Sequence, residues 1–425
     1  MLTKSRNLFF WFSWLVCMLL LAGCMDFTAG KAERDRANAD AYKFNPLSYT
    51  SDSLGSATGF GNTNPPTKVT VLLPLSGRLA GSGQAIRNAF LAANDYAKRQ
   101  NQNVPEIIFV DTNQADIHNL YQNAVQNGSD FVVGPLIKTE VSSLMGEANL
   151  PVPVLALNTI DDYAKHSTLN LYQFGLSPQD EVLQVSDRIL REGRNKALVI
   201  APNNAWGKGL VSAFQNSFSH GGKVIDILFY DKKTDFTQSI AEFLKIDMAQ
   251  LYPKGKGKAK TKPEPLNLET VRRQDFDSIF LIANPEDGRQ IRPLLKFYYV
   301  GRVPIYSTSF VYSGSPNPQA DFDLDDIIFC DLPWVLRADS QLPSYVGEVR
   351  MQIFAAFPAS SSQTRKLYAL GVDAYNLMRF LKIKGAFPAH GLAGATGALY
   401  LDSYHHIYRR LDWAKMSAGA PQLVQ

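Results

Sequence analysis

Apolar and polar positions change period repeatedly along this chain, and the changes mark out alternating strands and helices. Val69–Leu75 is a continuous apolar run of the length of a buried parallel strand. After a short turn, Ile86, Ala89, Phe90, Ala93, Tyr96 and Ala97 recur at i, i+3, i+4 and i+7, the spacing of a helix packed on a sheet. The same alternation continues. Glu106–Val110 predicts a strand, Ala115–Gln126 a helix stopped by Gly128, Asp130–Val133 a strand, Lys138–Asn149 a helix and Val152–Leu157 a strand. Leu171–Phe174 predicts a further short strand. A helix then opens at Ser177-Pro-Gln-Asp180, with Ser177 as N-cap, Pro178 in the first turn and acids beside the positive helix end.

A second series follows. Strands are predicted at Lys196–Ala201, Lys223–Phe229, Asp277–Ala283 and Val303–Ser307, with helices at Trp206–His220, Phe236–Asp247 and Glu286–Tyr299. Strands separated by helical stretches imply an α/β fold with mainly parallel sheets covered on both faces. Two such series in tandem imply two Rossmann-like lobes. A closed eight-fold barrel is not excluded by the count, but the irregular stretch after Ser307 speaks against it. At 425 residues, with 45% hydrophobic content, the chain has core material for two lobes. A net charge of +4 is slight for this size and gives no reason to expect nucleic-acid binding.

The N-terminus departs from this pattern. Lys4 and Arg6 precede the apolar run Leu8–Leu21, which ends in Leu21-Ala-Gly-Cys24. A basic start, a short apolar core and small residues before a cut predict a secretory signal over residues 1–23. The run is shorter than the ~20 residues of a membrane span. Leu-Ala-Gly-Cys resembles a bacterial lipobox, which would make Cys24 the lipidated first residue of the mature chain. Met25 rather than Asp follows, which for such lipoproteins implies the outer membrane, facing the periplasm. Cys17 leaves with the signal and Cys330 is alone, so no disulfide framework is expected. Residues 24–66 are polar and rich in small residues, and read as a flexible tether ahead of one domain over 67–425. Pro253–Pro263 alternates Lys with Gly, Ala and Thr, and residues 253–265 are expected to be a disordered, solvated loop, with contact to an anionic surface as the sharper reading.

Catalytic constellations are missing. The sequence has no Gly-x-Ser-x-Gly, no phosphate-binding P-loop, no His-Glu-x-x-His and no paired cysteines, so neither an enzyme nor a metal or cofactor is expected. Gly77, Gly81 and Gly83 lack dinucleotide-binding spacing. What remains is a set of turns: Ser76, Gly77 and Ser82 after the first strand, Gly134 and Pro135 after the third, Asn158 and Thr159 after the fourth. These residues either line a ligand cleft, since open α/β sheets bind at the carboxyl ends of their strands, or simply connect strands to helices. The residues themselves do not choose.

Several stretches resemble the C-terminal domain of the LpoA family, outer-membrane lipoprotein activators of a class A penicillin-binding protein. They include VTVLLPLSG, FVVGPL, PVPVLALN, NLYQFGLSPQDE and, above all, YSTSFVYSGSPNPQADFDLDDIIFCDLPWVL within Pro304–Leu336. The resemblance implies a type I periplasmic-binding-protein fold. Lobe one would hold about 67–175 and 310–390, lobe two about 176–309, and a C-terminal hairpin 394–425. It also implies a non-enzymatic protein whose partner is a bifunctional peptidoglycan synthase and whose anchor is the outer membrane. Full-length members carry a helical domain between anchor and binding-protein domain. The tether stands in that place here, which makes a short activator the expectation. A different class of function, a lipid-anchored receptor for an amino acid or cell-wall fragment held between the lobes, is the alternative.

Overall fold

The computed structural model describes residues 65–147, 149–160, 168–246, 272–298, 300–382, 387–388 and 390–424. The predicted signal, Cys24, nearly all of the tether and the basic loop lie outside these residues.

The first series folds as β1 (Lys68–Leu73), α1 (Ala80–Arg99), β2 (Glu106–Asp111), α2 (Ile117–Gln126), β3 (Phe131–Val133), α3 (Lys138–Leu144), β4 (Asn149–Ala156) and β5 (Leu169–Phe174). All six apolar positions predicted on the sheet-facing side of α1 are buried. In β1 alternate side chains serve opposite faces, so Val69, Val71 and Leu73 join Phe90 of α1 on one side while Leu72 joins Tyr121 and Leu144 on the other. β1 pairs in parallel with β2 and β3, β3 with β4 and β4 with β5. The helix predicted over 138–149 stops early, because Asn149 already opens β4.

The second series gives α4 (Pro178–Arg191), β6 (Lys196–Pro202), α5 (Ala205–Phe218), β7 (Lys223–Tyr230), α6 (Phe236–Phe243), β8 (Ser278–Leu281), α7 (Pro285–Phe297) and β9 (Ile305–Ser307). Ser177 caps α4 as the sequence predicts, accepting from Asp180 N at 3.2 Å. β6 pairs in parallel with β7 and β8, and β8 with β9.

The chain then adds β10 (Ile327–Asp331), α8 (Ser344–Ala356), α9 (Ser362–Leu381), β11 (Leu392–Ala393), β12 (Ala398–Leu401), β13 (His406–Arg410), β14 (Asp412–Ser417) and β15 (Ala420–Val424). The sheet orders are β11-β12-β13-β5-β4-β3-β1-β2 and β15-β14-β10-β9-β8-β6-β7. The fold is therefore α/β with two mainly parallel sheets, and the chain passes between them three times: after β5, after β10 and at Leu411.

Two placements differ from the sequence reading. The stretch 310–390 is expected with lobe one, yet β10 lies in the second sheet, parallel to β9 through Ile327–Ile305 and Phe329–Ser307. A short apolar strand carries no mark of which sheet it will join. The tail 394–425 is expected as one hairpin, but it forms two. β12 and β13 pair antiparallel in the first sheet, and β14 and β15 in the second, with buried Leu411 as the joint. Leu411 N donates to Gln184 Oε1 of α4 at 2.9 Å, which fixes the crossing against a second element.

The halves share core. Ala89 and Tyr96 of α1, Val346 of α8 and Val372 of α9 belong to one buried cluster with Val182, Phe214, Phe280 and Cys330. α9 crosses α1 closely at Gly371, where a Cβ would lie 2.6 Å from Ile86 O.

Candidate functional site

The predicted turn residues all fall at the carboxyl edge of the first sheet, because β1, β3 and β4 are neighbours there and run in the same direction. Their polar groups are largely engaged with one another's loops. The exposed Ser76 hydroxyl donates to Asp111, and this bond above all holds the Asp111 carboxyl below the usual carboxylate range. Asp111 Oδ1 also accepts from Leu75 N at 2.9 Å and Asn113 N at 3.1 Å, and Asn113 Nδ2 donates to Ser76 O at 2.9 Å. Gly77 has φ +68°, the left-handed conformation that lets the chain turn from β1 toward α1. Ser82 is half-buried in the first turn of α1.

Gly134 (φ +97°) passes so close to β1 that a Cβ would stand 2.0 Å from Leu72 O. Gly134 N donates to Leu155 O at 2.8 Å, and Pro135 O accepts from Leu157 N at 2.9 Å, so this turn joins β3 to β4. Asn158 Nδ2 donates to Leu136 O at 2.9 Å while its Oδ1 accepts from Thr159 N. The edge is thus braced by the groups that a ligand would otherwise use.

A cluster of buried charge, unmarked in the sequence, sits where the chain passes between the sheets. Glu181 of α4, six percent exposed, accepts from Ser309 N at 2.9 Å and Ser309 Oγ at 3.0 Å. Lys366 of α9 pairs with fully buried Asp331 at 2.9 Å, the last residue of β10, and donates to Ser309 O at 3.4 Å. Arg409 of β13 is buried, and among the described residues its three guanidinium nitrogens make no hydrogen bond. Its charge nonetheless acts on Glu181, Asp331 and Asp373 across the apolar interior. Asp373 of α9 receives Ala395 N at 2.7 Å, Thr396 N at 2.7 Å and Thr396 Oγ1 at 2.6 Å.

Burial dominates the electrostatics here. It pushes the Glu181 and Asp331 carboxyls up against the pull of Lys366 and Arg409, and pushes Asp373 up to about 6 despite its three donors. The Cys330 thiol is pushed up as well, as befits a packing residue rather than a nucleophile. Each of the three crossings contributes one member: Glu181 just after the first, Asp331 at the second, Arg409 just before the third. In the sequence Glu181 reads only as an acid in the first turn of a helix. Its partner lies 128 residues away, beyond the reach of any local pattern.

Residues 49–419 match the family described as "LppC putative lipoprotein". Among curated relatives, the penicillin-binding protein activator LpoA of Vibrio antiquarius (strain Ex25) is 28% identical over 369 residues, which are 83% of this chain and 58% of the relative. The chain thus spans somewhat more than half the length of that relative. The C-domain of LpoA from Haemophilus influenzae, described as a regulator of PBP1A, superposes with a TM-score of 0.63 at 22% identity, covering 84% of this chain and 100% of that domain. A structure from Chromobacterium violaceum described as "a putative branched-chain amino acid ABC transporter" superposes with a TM-score of 0.61 at 25% identity, covering 82% and 100%. These likenesses assign the two-sheet architecture to the periplasmic-binding-protein type. With the family match extending over most of its length, the chain belongs to the LppC lipoprotein family.

Proposed function

We infer that this protein is a lipid-anchored, periplasm-facing regulator that binds a class A penicillin-binding protein and stimulates its peptidoglycan synthesis. The observation that carries this reading is the extent of the likeness: the described domain is coextensive with the C-domain of an LpoA, and curated LpoA relatives match over most of this chain. In this reading Cys24 carries the lipid, residues 24–66 tether the domain, and the anchor lies in the outer membrane. Among the described residues no helix is long and apolar enough to cross a membrane. The chain would act by contact rather than by catalysis. Ser76, Gly77, Ser82, Gly134, Pro135, Asn158 and Thr159 then serve as braced connections, in keeping with the bonds that Ser76 and Asn158 already make.

The reading is tested by capture. The purified chain should retain a class A synthase from solubilised membranes, and Cys24→Ala should move the protein from the membrane fraction to the soluble periplasm without loss of that capture. Failure to retain any class A synthase would refute the reading.

A further inference from the structure

The two sheets end in β11 and β2 on one side and in β15 and β7 on the other. An edge strand offers unpaired N–H and C=O groups to any other strand, and three of these edges are blunted. β11 consists of Leu392 and Ala393 alone. β15 carries Pro421, which has no N–H to give. In β7 the register with β6 shifts between Ala197 and Leu198. There Asp226 turns one carboxylate oxygen onto Ile227 N at 2.9 Å, while Arg273 holds the other at 2.8 Å. β2 has none of these devices. It pairs with β1 in unbroken register, and Ile107, Ile108, Phe109 and Val110 are all half-buried. Glu106 N donates to Thr67 O and Thr112 N to Leu73 O, each at 2.9 Å, so even-numbered residues of β2 turn their main-chain groups toward β1. Ile107, Phe109 and Asp111 therefore turn theirs outward. The open stretch is bounded, because Pro105 lacks an N–H and Asp111 O already accepts from Gln114 N at 3.2 Å. What remains free, among the described residues, are the N–H and C=O groups of Ile107 and Phe109.

We propose that β2 is a self-pairing edge, through which two copies of this chain join as a two-fold dimer with their β2 strands antiparallel about Ile108. The pattern of free groups is self-complementary. Antiparallel strands exchange both bonds of a pair between outward-facing residues. A two-fold axis at Ile108 sets Ile107 of one copy against Phe109 of the other, so every free group finds a mate. A β-branched residue opposite an aromatic is a favourable cross-strand pair. Ile108 then stands opposite its own copy in the closer, non-hydrogen-bonded position. The same register sets Glu106 opposite Val110 and Asp111 opposite Pro105, so no acids face each other. Aligning the strand ends instead would oppose Glu106 to Asp111 and set inward-turned groups against outward ones, which both charge and hydrogen bonding forbid. One patch serves both partners, as a closed two-fold contact requires.

The dimer is independent of synthase regulation, and its test contains no synthase. In sedimentation equilibrium the full chain, in detergent, should show a monomer–dimer equilibrium. Ile108→Lys sets two ammonium groups face to face at a half-buried site and should weaken the dimer at least about tenfold. Cross-linking reads the register itself. Opposed Cα atoms at a non-hydrogen-bonded position lie about 4.5 Å apart, within disulfide reach, so Ile108→Cys should link two chains on oxidation with copper phenanthroline. Ile107→Cys stands diagonal to its own copy, about 7–8 Å away, and should link far more slowly. Wild type, whose Cys330 is buried, supplies the background. Circular dichroism confirms that each variant is folded. A wild-type chain that stays monomeric at about 0.1 mM overturns the proposal. So do equal cross-linking rates at 107 and 108, which mark random collision, and a dimer that Ile108→Lys leaves unchanged, which lies on another face.

Discussion

The Glu181 carboxylate accepts both the main-chain N–H and the hydroxyl of Ser309, joining the first turn of α4 to the turn beyond β9 across 128 residues of chain. Both partners are buried, so losing either leaves a polar group without water or a mate. Ser309→Ala should cost about 1–2 kcal/mol in urea unfolding, and Glu181→Ala about 3–5 kcal/mol, because Lys366 and Arg409 lose a nearby counter-charge. Equal stability of wild type and Glu181→Ala would show that this bond does not hold the turn.

Lys366 and Asp331 give a sharper contrast. Lys366→Met strands a fully buried carboxylate and should cost about 3–5 kcal/mol. Adding Asp331→Leu removes the stranded charge and should recover part of that loss, a non-additivity that a double-mutant cycle in urea reads directly.

Asp373 makes stability depend on pH. Burial pushes its carboxyl up to about 6 in the folded chain, against about 3.9 for an ordinary aspartate, so between these values the folded state holds a proton that the unfolded state has released. Its contribution to stability is fully present below about pH 4 and is lost as pH rises through 6, by about 3 kcal/mol in total. Relative to Asp373→Asn, whose side chain does not titrate, wild-type stability should fall across that window and run parallel above about pH 7. Parallel curves throughout would place the Asp373 carboxyl at its ordinary value.

The glycines after β1 and β3 separate connection from recognition. A Cβ at Gly83 would lie 2.2 Å from Pro74 O and one at Gly134 2.0 Å from Leu72 O, whereas Gly81 has nothing within 4 Å. Gly83→Ala and Gly134→Ala should each destabilise by about 2–4 kcal/mol. Gly81→Ala, in the first turn of α1, should be neutral or stabilise by up to about 1 kcal/mol. Thermal melts of the three variants check the order.

What the sequence reveals follows the range of the forces involved. The β1–turn–α1 unit, the cap at Ser177 and the alternation of strands and helices rest on local periodicity, and they stand in the structure as read. The sheet that β10 joins, and the split of the tail at Leu411, depend on pairings between distant strands. The Glu181–Ser309 and Lys366–Asp331 contacts are hidden for the same reason. Each residue is unremarkable among its neighbours in sequence and becomes exceptional only when folding removes water from it.

The proposed regulation of a peptidoglycan synthase by contact would show itself in the rate of that synthase. The purified chain, added to a class A penicillin-binding protein with lipid-linked precursor, should raise glycan polymerisation or peptide cross-linking in a saturable manner. An unchanged rate of both reactions, at chain concentrations that saturate every class A synthase offered, would mean that the protein does not regulate these enzymes.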